Sequence, residues 1–359
     1  MKFPFRRISL CILCFMLSVP ALGFAADKPI IRTSGQPCLH GMPLWYADKA
    51  ETGWMKNAPF QNKFMLFASG APQIEALAAD QWDAGAMGAI PAMLASMRYG
   101  AYIVGVSNDE SETNDLWVRP DSPLLKTKGA NPQHPDLYGT KDDWKGKKVL
   151  ATTVSTGHYA LTQTLKVLGL KDSDVSIVHM EQGQAITGFN AGEGDIIQLW
   201  APFSYIGESK GWKKVSSGKR AGAVVIGPII VRKEFADKNP ALVVEWLDIY
   251  MRGIEMMKND PQKSAPILLS YFTDYCGMEL TKDMGGLEFK LRPLYTVQEE
   301  IDILTKPDML AKWMDGVAKF MLDQGRISKK EYDRYVKSHY GIEPKFMKML
   351  IEKRAAAAK

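Results

Sequence analysis

The chain alternates short apolar strands with amphipathic helices, and this alternation constrains its fold more than any other feature. Strands are predicted at residues 30–34, 63–68, 82–87 and 102–107, with helices between them. This order is typical of a mostly parallel sheet that is covered by helices on both faces. The sequence therefore predicts an α/β fold.

The alternation stops and then starts again. Residues 121–147 are rich in turn-forming residues, and we expect the chain to cross into a second lobe there. New strands are predicted at 149–153, 175–180 and 195–200, and a return strand at 223–231.

We therefore expect two α/β lobes joined by a hinge. Residues 26–118 would begin the first lobe, 119–224 would form the second, and 225–359 would complete the first. The chain after residue 240 is predicted to be helical. Because these helices lack strands of their own, we expect them to pack back on the first lobe.

The amino-terminal segment has the pattern of a secretory signal peptide. Lys2, Arg6 and Arg7 precede an apolar run at 8–19, and Gly-Phe-Ala at 23–25 provides a cleavage site. We expect residues 1–25 to be removed near Ala25 and the mature protein to be soluble in a bacterial periplasm. An uncleaved membrane anchor is the alternative.

Composition excludes several classes of partner. Removing the three basic residues of the segment lowers the formal charge from +5 to +2, which indicates neither a nucleic acid nor an anionic membrane as partner. The five histidines show no metal-ligand spacing, so we predict no metal and no other cofactor. Cys38 and Cys276 remain after cleavage, either as a disulfide or as two separate buried thiols.

Three segments carry a resemblance to a known family: SGAPQIEALAADQWDAGAMGAIPAMLA (69–95), WKGKKVLATTVSTGHYALTQTLKVLGL (144–170) and DVSIVHMEQGQAITGFNAGEGDIIQLWAP (174–202). In this order they resemble the nitrate/sulfonate/taurine-type substrate-binding proteins of ABC importers. The resemblance implies a type II periplasmic-binding fold, whose two lobes close on a small solute. It also implies an ABC transporter permease in the inner membrane as partner. The stretch 129–143 and the acidic run at 109–112 depart from the family pattern.

Candidate site residues follow from the rule that open α/β sheets bind ligands at the carboxyl ends of their strands. The turns 34–38, 69–71 and 152–158 each lead from a strand into a helix, and a helix N-terminus favours an anion. With the ends of two further strands, we expect these ligand contacts: Ser34, Gln36, Ser69, Gly70, Gly88, Ala89, Thr153, Ser155, Thr156, Gly157, His158, Trp200 and Pro202.

Each of these assignments has a structural alternative. Ser155 or Thr156 would serve only as an N-cap, Trp200 as a core residue, and His158 as a helix-surface residue. His40 is expected at the surface or rim. If Asp109, Glu110 or Glu112 points inward, the ligand carries an amine as well as an acid; solvated loop charges are the alternative.

These observations predict a monomeric, exported solute-binding protein of an ABC importer. Its ligand would be a small organic anion or zwitterion, with a sulfonate or taurine-like molecule favoured. An exported sensor for a membrane receptor shares the same expected site and differs only in its partner. An enzyme on this fold, as in pyrimidine synthesis, is the third hypothesis, but no set of nucleophile, base and orienting residue is legible.

Overall fold

A computed structural model of the protein describes residues 1, 28–49, 53–306 and 308–358. Apart from Met1, the predicted signal peptide and its cleavage site near Ala25 lie outside the described residues. The described strands are β1 (Ile30–Gly35), β2 (Gln61–Leu66), β3 (Ala84–Ala86), β4 (Tyr102–Asp109), β5 (Asn114–Val118), β6 (Lys148–Ala151), β7 (Ser176–His179), β8 (Ile196–Trp200), β9 (Lys213–Ser217) and β10 (Ile226–Val231).

The helices before the return strand are α1 (Met42–Lys49), α2 (Trp54–Asn57), α3 (Gly70–Ala78), α4 (Ala89–Tyr99), α5 (Lys141–Trp144), α6 (Thr156–Val167), α7 (Gln182–Asn190) and α8 (Phe203–Ser209). The helices after it are α9 (Lys233–Lys238), α10 (Pro240–Asn259), α11 (Pro261–Ser270), α12 (Lys282–Leu291), α13 (Val297–Thr305), α14 (Met309–Asp323), α15 (Lys329–Lys337) and α16 (Lys345–Ala357).

Two five-stranded sheets organise the molecule. The first has the order β2-β1-β3-β10-β4 and the second the order β7-β6-β8-β5-β9. In the first sheet only β10 runs antiparallel to its neighbours, and in the second only β5 does. The predicted mostly parallel arrangement is therefore confirmed. Below, the first and second lobes are these two sheets with the helices that pack on them.

The chain crosses between the sheets at 110–113 and again at 218–225. The predicted boundary at residue 118 is therefore wrong for β5, which pairs with β8 and β9 in the second sheet. The crossing also precedes the turn-rich stretch 121–147. The error has a physical cause: a strand's apolar pattern shows that it is a strand, but the sheet that it joins depends on partners that lie about 80 to 100 residues away in the chain.

Alternating side chains bury both faces of the second sheet. Leu116 and Val149 lie in one core with residues of α6, whereas Trp117 and Leu150 lie in another core that includes Phe189 of α7. Both faces are covered, which explains the apolar runs at 116–118 in β5 and 149–151 in β6.

The carboxyl-terminal helices pack on the first lobe, as predicted. Helix α10 contacts α1 and α16, while α13 and α16 contact β4. The Glu300 carboxylate of α13 accepts a hydrogen bond from the backbone N–H of Val106 in β4 at 2.8 Å, so the helix is also fixed to the strand by a polar contact. None of the helices in the described ranges is long and apolar enough to span a bilayer.

Candidate functional site

A cavity of about 110 Å³ lies between the two lobes, at the carboxyl ends of their parallel strands. Both lobes and the first crossing contribute to its wall. The lining residues are Gln36, Cys38, His40, Ser69, Gly70, Ala71, Gly88, Pro91, Glu110, Thr152, Thr153, Val154, Ser155, Thr156, His179, Glu181, Trp200 and Arg292.

The structure brings together eight of the thirteen residues expected to contact a ligand: Gln36, Ser69, Gly70, Gly88, Thr153, Ser155, Thr156 and Trp200. Of the three candidate amine contacts, Glu110 lies in the wall. These residues come from both lobes and span more than 160 positions of the chain. Their convergence follows from the strand-end rule, because parallel strands end at the same edge of a sheet.

Four helices begin at the cavity wall. The residues that precede α3, α4, α6 and α7 are Ser69, Gly88, Ser155 and Glu181, and all four line the cavity. Only Ser155 caps its own helix with its side chain. The first N–H groups of a helix lack intrahelical acceptors, and each N-terminus carries about +0.5 of an elementary charge.

Two hydroxyl residues at the start of α6 have different roles: one caps the helix and the other faces the cavity. Ser155 Oγ donates to the Thr152 carbonyl oxygen at 2.6 Å and accepts from the His158 backbone N–H at 3.1 Å. This serine therefore has the N-cap role that was the alternative interpretation. The Thr156 hydroxyl has no hydrogen bond to another residue within the described part of the chain, and Thr156 lines the cavity.

His158 and Gly157 do not line the cavity. Two helical positions correspond to about 200° of rotation, so His158 points away from Thr156. Its Nε2 lies 2.8 Å from Asp172 Oδ2, and its ring packs edge-on against Phe320 of α14. Gly157 allows close packing instead, because an added Cβ would lie 1.9 Å from Gln198 Nε2. Neither residue therefore lies in the cavity wall, where a ligand contact was expected.

Ser34 lies one layer behind the wall. Its Oγ accepts a hydrogen bond from Gln73 Nε2 at 2.8 Å, and Gln73 Oε1 accepts one from Gln36 Nε2 at 2.6 Å. Ser34 thus holds a cavity residue in place through Gln73. Ala89 and Pro202 are buried at the starts of α4 and α8 and do not line the cavity either.

Asp109 and Glu112 face another groove. Asp109 Oδ1 accepts from the Ser111 backbone N–H at 2.7 Å, and Glu112 lies 3.5 Å from Lys219 Nζ. Both residues line a groove at the hinge with Lys219 and Lys290, apart from the cavity between the lobes. These two carboxylates are therefore not placed to contact a ligand in that cavity.

A buried charge cluster closes one side of the cavity. The Arg292 guanidinium contacts Glu110 Oε1 through Nη2, and Nη1 lies 3.2 Å from Glu288 Oε2. Arg292 is 2% exposed, Glu110 4% and Glu288 0%. Burial opposes ionisation of Glu110, but the charge of Arg292 and a hydrogen bond from His40 lower the pKa of Glu110 to about 2. Burial raises the pKa of Glu288, and Arg292 offsets this effect only in part.

His40 belongs to this cluster and is not a rim residue. It is 1% exposed, and its Nδ1 lies 3.1 Å from Glu110 Oε1. The expectation of a surface or rim position is therefore wrong. A short 3-10 turn, Leu39–Gly41, follows the first strand-to-helix turn and carries the imidazole inward.

Sequence reasoning missed Arg292, His179 and Glu181. His179 ends β7 and Glu181 follows two residues later, so the strand-end rule could have found both. Arg292 ends α12, in a part of the chain with no strand and no motif, and it reaches the site only through tertiary packing.

Cys38 and Cys276 are both free thiols in the structure. Cys38 is buried in the cavity wall and Cys276 is partly buried. Burial raises the pKa of Cys38 well above its ordinary value, although Arg292 opposes this shift. The thiol therefore stays protonated at neutral pH, and protonated thiols are weak nucleophiles.

Comparisons with known proteins agree with this geometry. Residues 139–264 match the family described as "NMT1/THI5 like". An ABC transporter periplasmic binding protein of Brachyspira hyodysenteriae is 27% identical over 281 residues, covering 78% of this chain and 80% of its own. The taurine-binding periplasmic protein of Escherichia coli is 25% identical over 305 residues, covering 81% and 87%.

Solved structures share the fold. The periplasmic aliphatic sulphonate binding protein SsuA of Escherichia coli superposes with a TM-score of 0.67 at 18% identity, over 85% of this chain and 90% of its own. The desulfurization enzyme DSZB has the same fold, with a TM-score of 0.63 at 15% identity over 91% and 100%. The predicted type II periplasmic-binding fold is therefore confirmed. The chain is thus similar in sequence to an ABC transporter periplasmic binding protein and a taurine-binding periplasmic protein, and in fold to a sulphonate-binding protein, which agrees with the resemblance that its sequence indicates.

Proposed function

We propose that this protein is the exported solute-binding component of an ABC importer. It captures a small organic anion, a sulfonate or a taurine-like molecule, between its lobes and delivers it to a permease in the inner membrane. The convergence of the N-termini of α3, α4, α6 and α7 on one cavity carries this proposal.

Electrostatics explain why this convergence favours an acidic group. Each helix contributes free backbone N–H groups and the positive end of its dipole. The Thr156 hydroxyl adds a donor that no other described side chain uses. An anion in the cavity would replace water at several donors at once, and the enclosing lobes strengthen each contact by excluding solvent.

Two further observations support binding without catalysis. The Cys38 thiol is held protonated by burial, as described above. Ser155 and His158 do not form a nucleophile–base pair, because the His158 imidazole is directed to Asp172 and only its backbone N–H contacts Ser155 Oγ. Both named relatives are periplasmic binding proteins, and one of them is named as an ABC transporter protein, which supports a periplasmic location and a permease partner.

We propose a monomer of two lobes. The first lobe comprises β1–β4 and β10 with α1–α4 and α9–α16, and the second comprises β5–β9 with α5–α8. The two crossings at 110–113 and 218–225 act as the hinge about which the lobes open and close around the solute.

A thermal-shift screen of the refolded, ligand-stripped mature protein tests the proposal. The panel holds taurine, alkanesulfonates, nitrate, bicarbonate, amino acids, dicarboxylates and pyrimidines. A ligand at about a hundred times its Kd adds about 2.7 kcal/mol to the free energy of unfolding, which such a screen resolves. We expect the largest shifts among the sulfonates. Absence of a shift with every acidic compound would overturn the proposal.

A further inference from the structure

The charged side chains that line the cavity do not favour a ligand that carries only negative charge. Arg292 is the one arginine or lysine among the lining residues, and Glu110 and Glu288 already engage its guanidinium. The helix N-termini therefore supply the positive potential for an acidic group. The wall also holds a second carboxylate, that of Glu181.

Glu181 has no cationic partner among the described residues. The Glu181 carboxylate accepts a hydrogen bond of 3.4 Å from Ser69 Oγ, on the opposite side of the cleft. Glu181 immediately precedes α7, but its side chain does not cap that helix. Helix capping therefore does not explain why a carboxylate lies at this position. An anion bound at the converging N-termini would meet a like charge there.

Neither histidine of the wall pairs with Glu181. His179 Nδ1 accepts a hydrogen bond from the Thr153 backbone N–H at 3.1 Å, which leaves its proton on Nε2. His40 faces Glu110 through Nδ1 at 3.1 Å, and its buried Nε2 has no hydrogen-bond partner among the described residues.

The wall thus offers one carboxylate that needs a cationic donor, that of Glu181 in the second lobe. Trp200 lines the same cavity, and its ring can cover a cationic nitrogen. We infer that the solute carries a protonated amine beside its acidic group, and that Glu181 is the residue that selects this amine. The inference rests on the proposed function, since it assigns the second half of the same ligand.

Isothermal titration with matched pairs of solutes tests this inference. One pair is 2-aminoethanesulfonate and ethanesulfonate, and the other is β-alanine and propionate. Within at least one pair, we expect the aminated member to bind the ligand-stripped protein at least about tenfold more tightly, because only it compensates Glu181. Equal affinity within both pairs would overturn the inference while leaving the proposed function intact. Failure of every anion to bind would overturn the proposed function itself.

The variant Glu181→Gln tests whether Glu181 causes the preference for aminated solutes. The variant Glu208→Gln is the matched control. Glu208 lies on α8 of the same lobe, is exposed and does not line the cavity. We expect Glu181→Gln to reduce the preference for the aminated member to less than about threefold, whereas Glu208→Gln keeps it. Thermal unfolding of both variants checks that they fold. A folded Glu181→Gln protein that keeps the full preference would contradict the assignment.

Discussion

Ser69 Oγ donates a hydrogen bond to Glu181 Oε1 at 3.4 Å across the cleft between the lobes. The two residues precede α3 of the first lobe and α7 of the second, so the contact joins two of the four helix N-termini at the cavity. In this structure the two lobes therefore already contact each other beside the cavity.

Gly88 of the first lobe packs closely against Thr156 of the second at the cavity wall. A Cβ at Gly88 would lie 3.0 Å from Thr156 Cγ2 and 3.1 Å from Thr156 Oγ1. We predict that Gly88→Ala hinders closure and weakens solute binding about tenfold, equivalent to about 1.4 kcal/mol. Titration calorimetry measures the loss. The control is Gly183→Ala, where an added Cβ meets no atom within 4 Å; an equal loss in both variants would contradict the steric explanation.

The Thr156 hydroxyl is predicted to bind the solute directly. Thr156→Val keeps the shape of the side chain and removes only its hydrogen-bonding group. Because no other described residue uses this hydroxyl, we expect affinity to fall about tenfold, or about 1.4 kcal/mol, with little change in the free energy of unfolding. Unchanged affinity in the folded variant would move the acidic group of the solute elsewhere.

Ser155→Ala is expected to change stability rather than solute affinity. The Ser155 hydroxyl caps α6, so its removal should lower the free energy of unfolding by about 1 kcal/mol. Urea titration of the solute-free protein measures this change. A variant with unaltered stability and reduced affinity would show that Ser155 serves the solute and that its cap is energetically minor.

The Glu110 carboxylate makes stability depend on pH. Its pKa of about 2 lies below the ordinary value of 4.5, so its stabilising effect is complete above about pH 4.5 and is lost as the pH falls towards 2. The shift corresponds to about 3 kcal/mol at neutral pH. We predict that Glu110→Gln is destabilised by this order at pH 7 and that the deficit shrinks towards pH 3.

The same measurement on Glu112→Gln provides the control, because Glu112 belongs to the same crossing and makes only a contact of 3.5 Å with the exposed Lys219. Urea unfolding at pH 7, 5 and 3 gives the free energies for both variants. A deficit of Glu110→Gln that is the same at all three pH values would contradict the assignment of the low pKa to this ion pair.

Trp200 is 9% exposed, and its ring lies edge-on to Phe203 at a centroid distance of 6.4 Å. It therefore belongs both to the cavity wall and to the packing of the second lobe. We predict that Trp200→Ala weakens solute binding at least tenfold through lost contact area and lowers the free energy of unfolding by about 3 kcal/mol. Calorimetry and urea titration separate the two effects. Unaltered affinity would assign Trp200 to packing alone.

Local sequence patterns predicted the strands and their ends, because these features depend on neighbouring residues in the chain. The apolar runs at β1, β4 and β8 and the small residues before α3 and α6 identified strand ends, and strand ends of one sheet edge must meet. The sequence therefore predicted Ser69, Thr156 and Trp200 in one place without knowledge of the tertiary structure.

Features that depend on distant partners escaped this reasoning. Arg292 enters the site from α12, about 180 residues after its partner Glu110, and nothing around it in sequence indicates a binding role. The direction of His158 depends on helix phase, which the exact start of α6 determines. Strand β9 was missed because its sequence KKVSS lacks an apolar run, although its last three residues are buried beside β5.

We predict that the acidic group of a solute occupies the point where four helix N-termini converge. A crystal structure of the mature protein with the best-binding sulfonate would show this position. We expect the sulfonate oxygens within about 2.7–3.2 Å of backbone N–H groups at the starts of α3, α4 and α6, with the Thr156 hydroxyl also in reach. A sulfonate bound outside this cavity, or inside it but away from these N-termini, would show that the helix N-termini do not form the anion site.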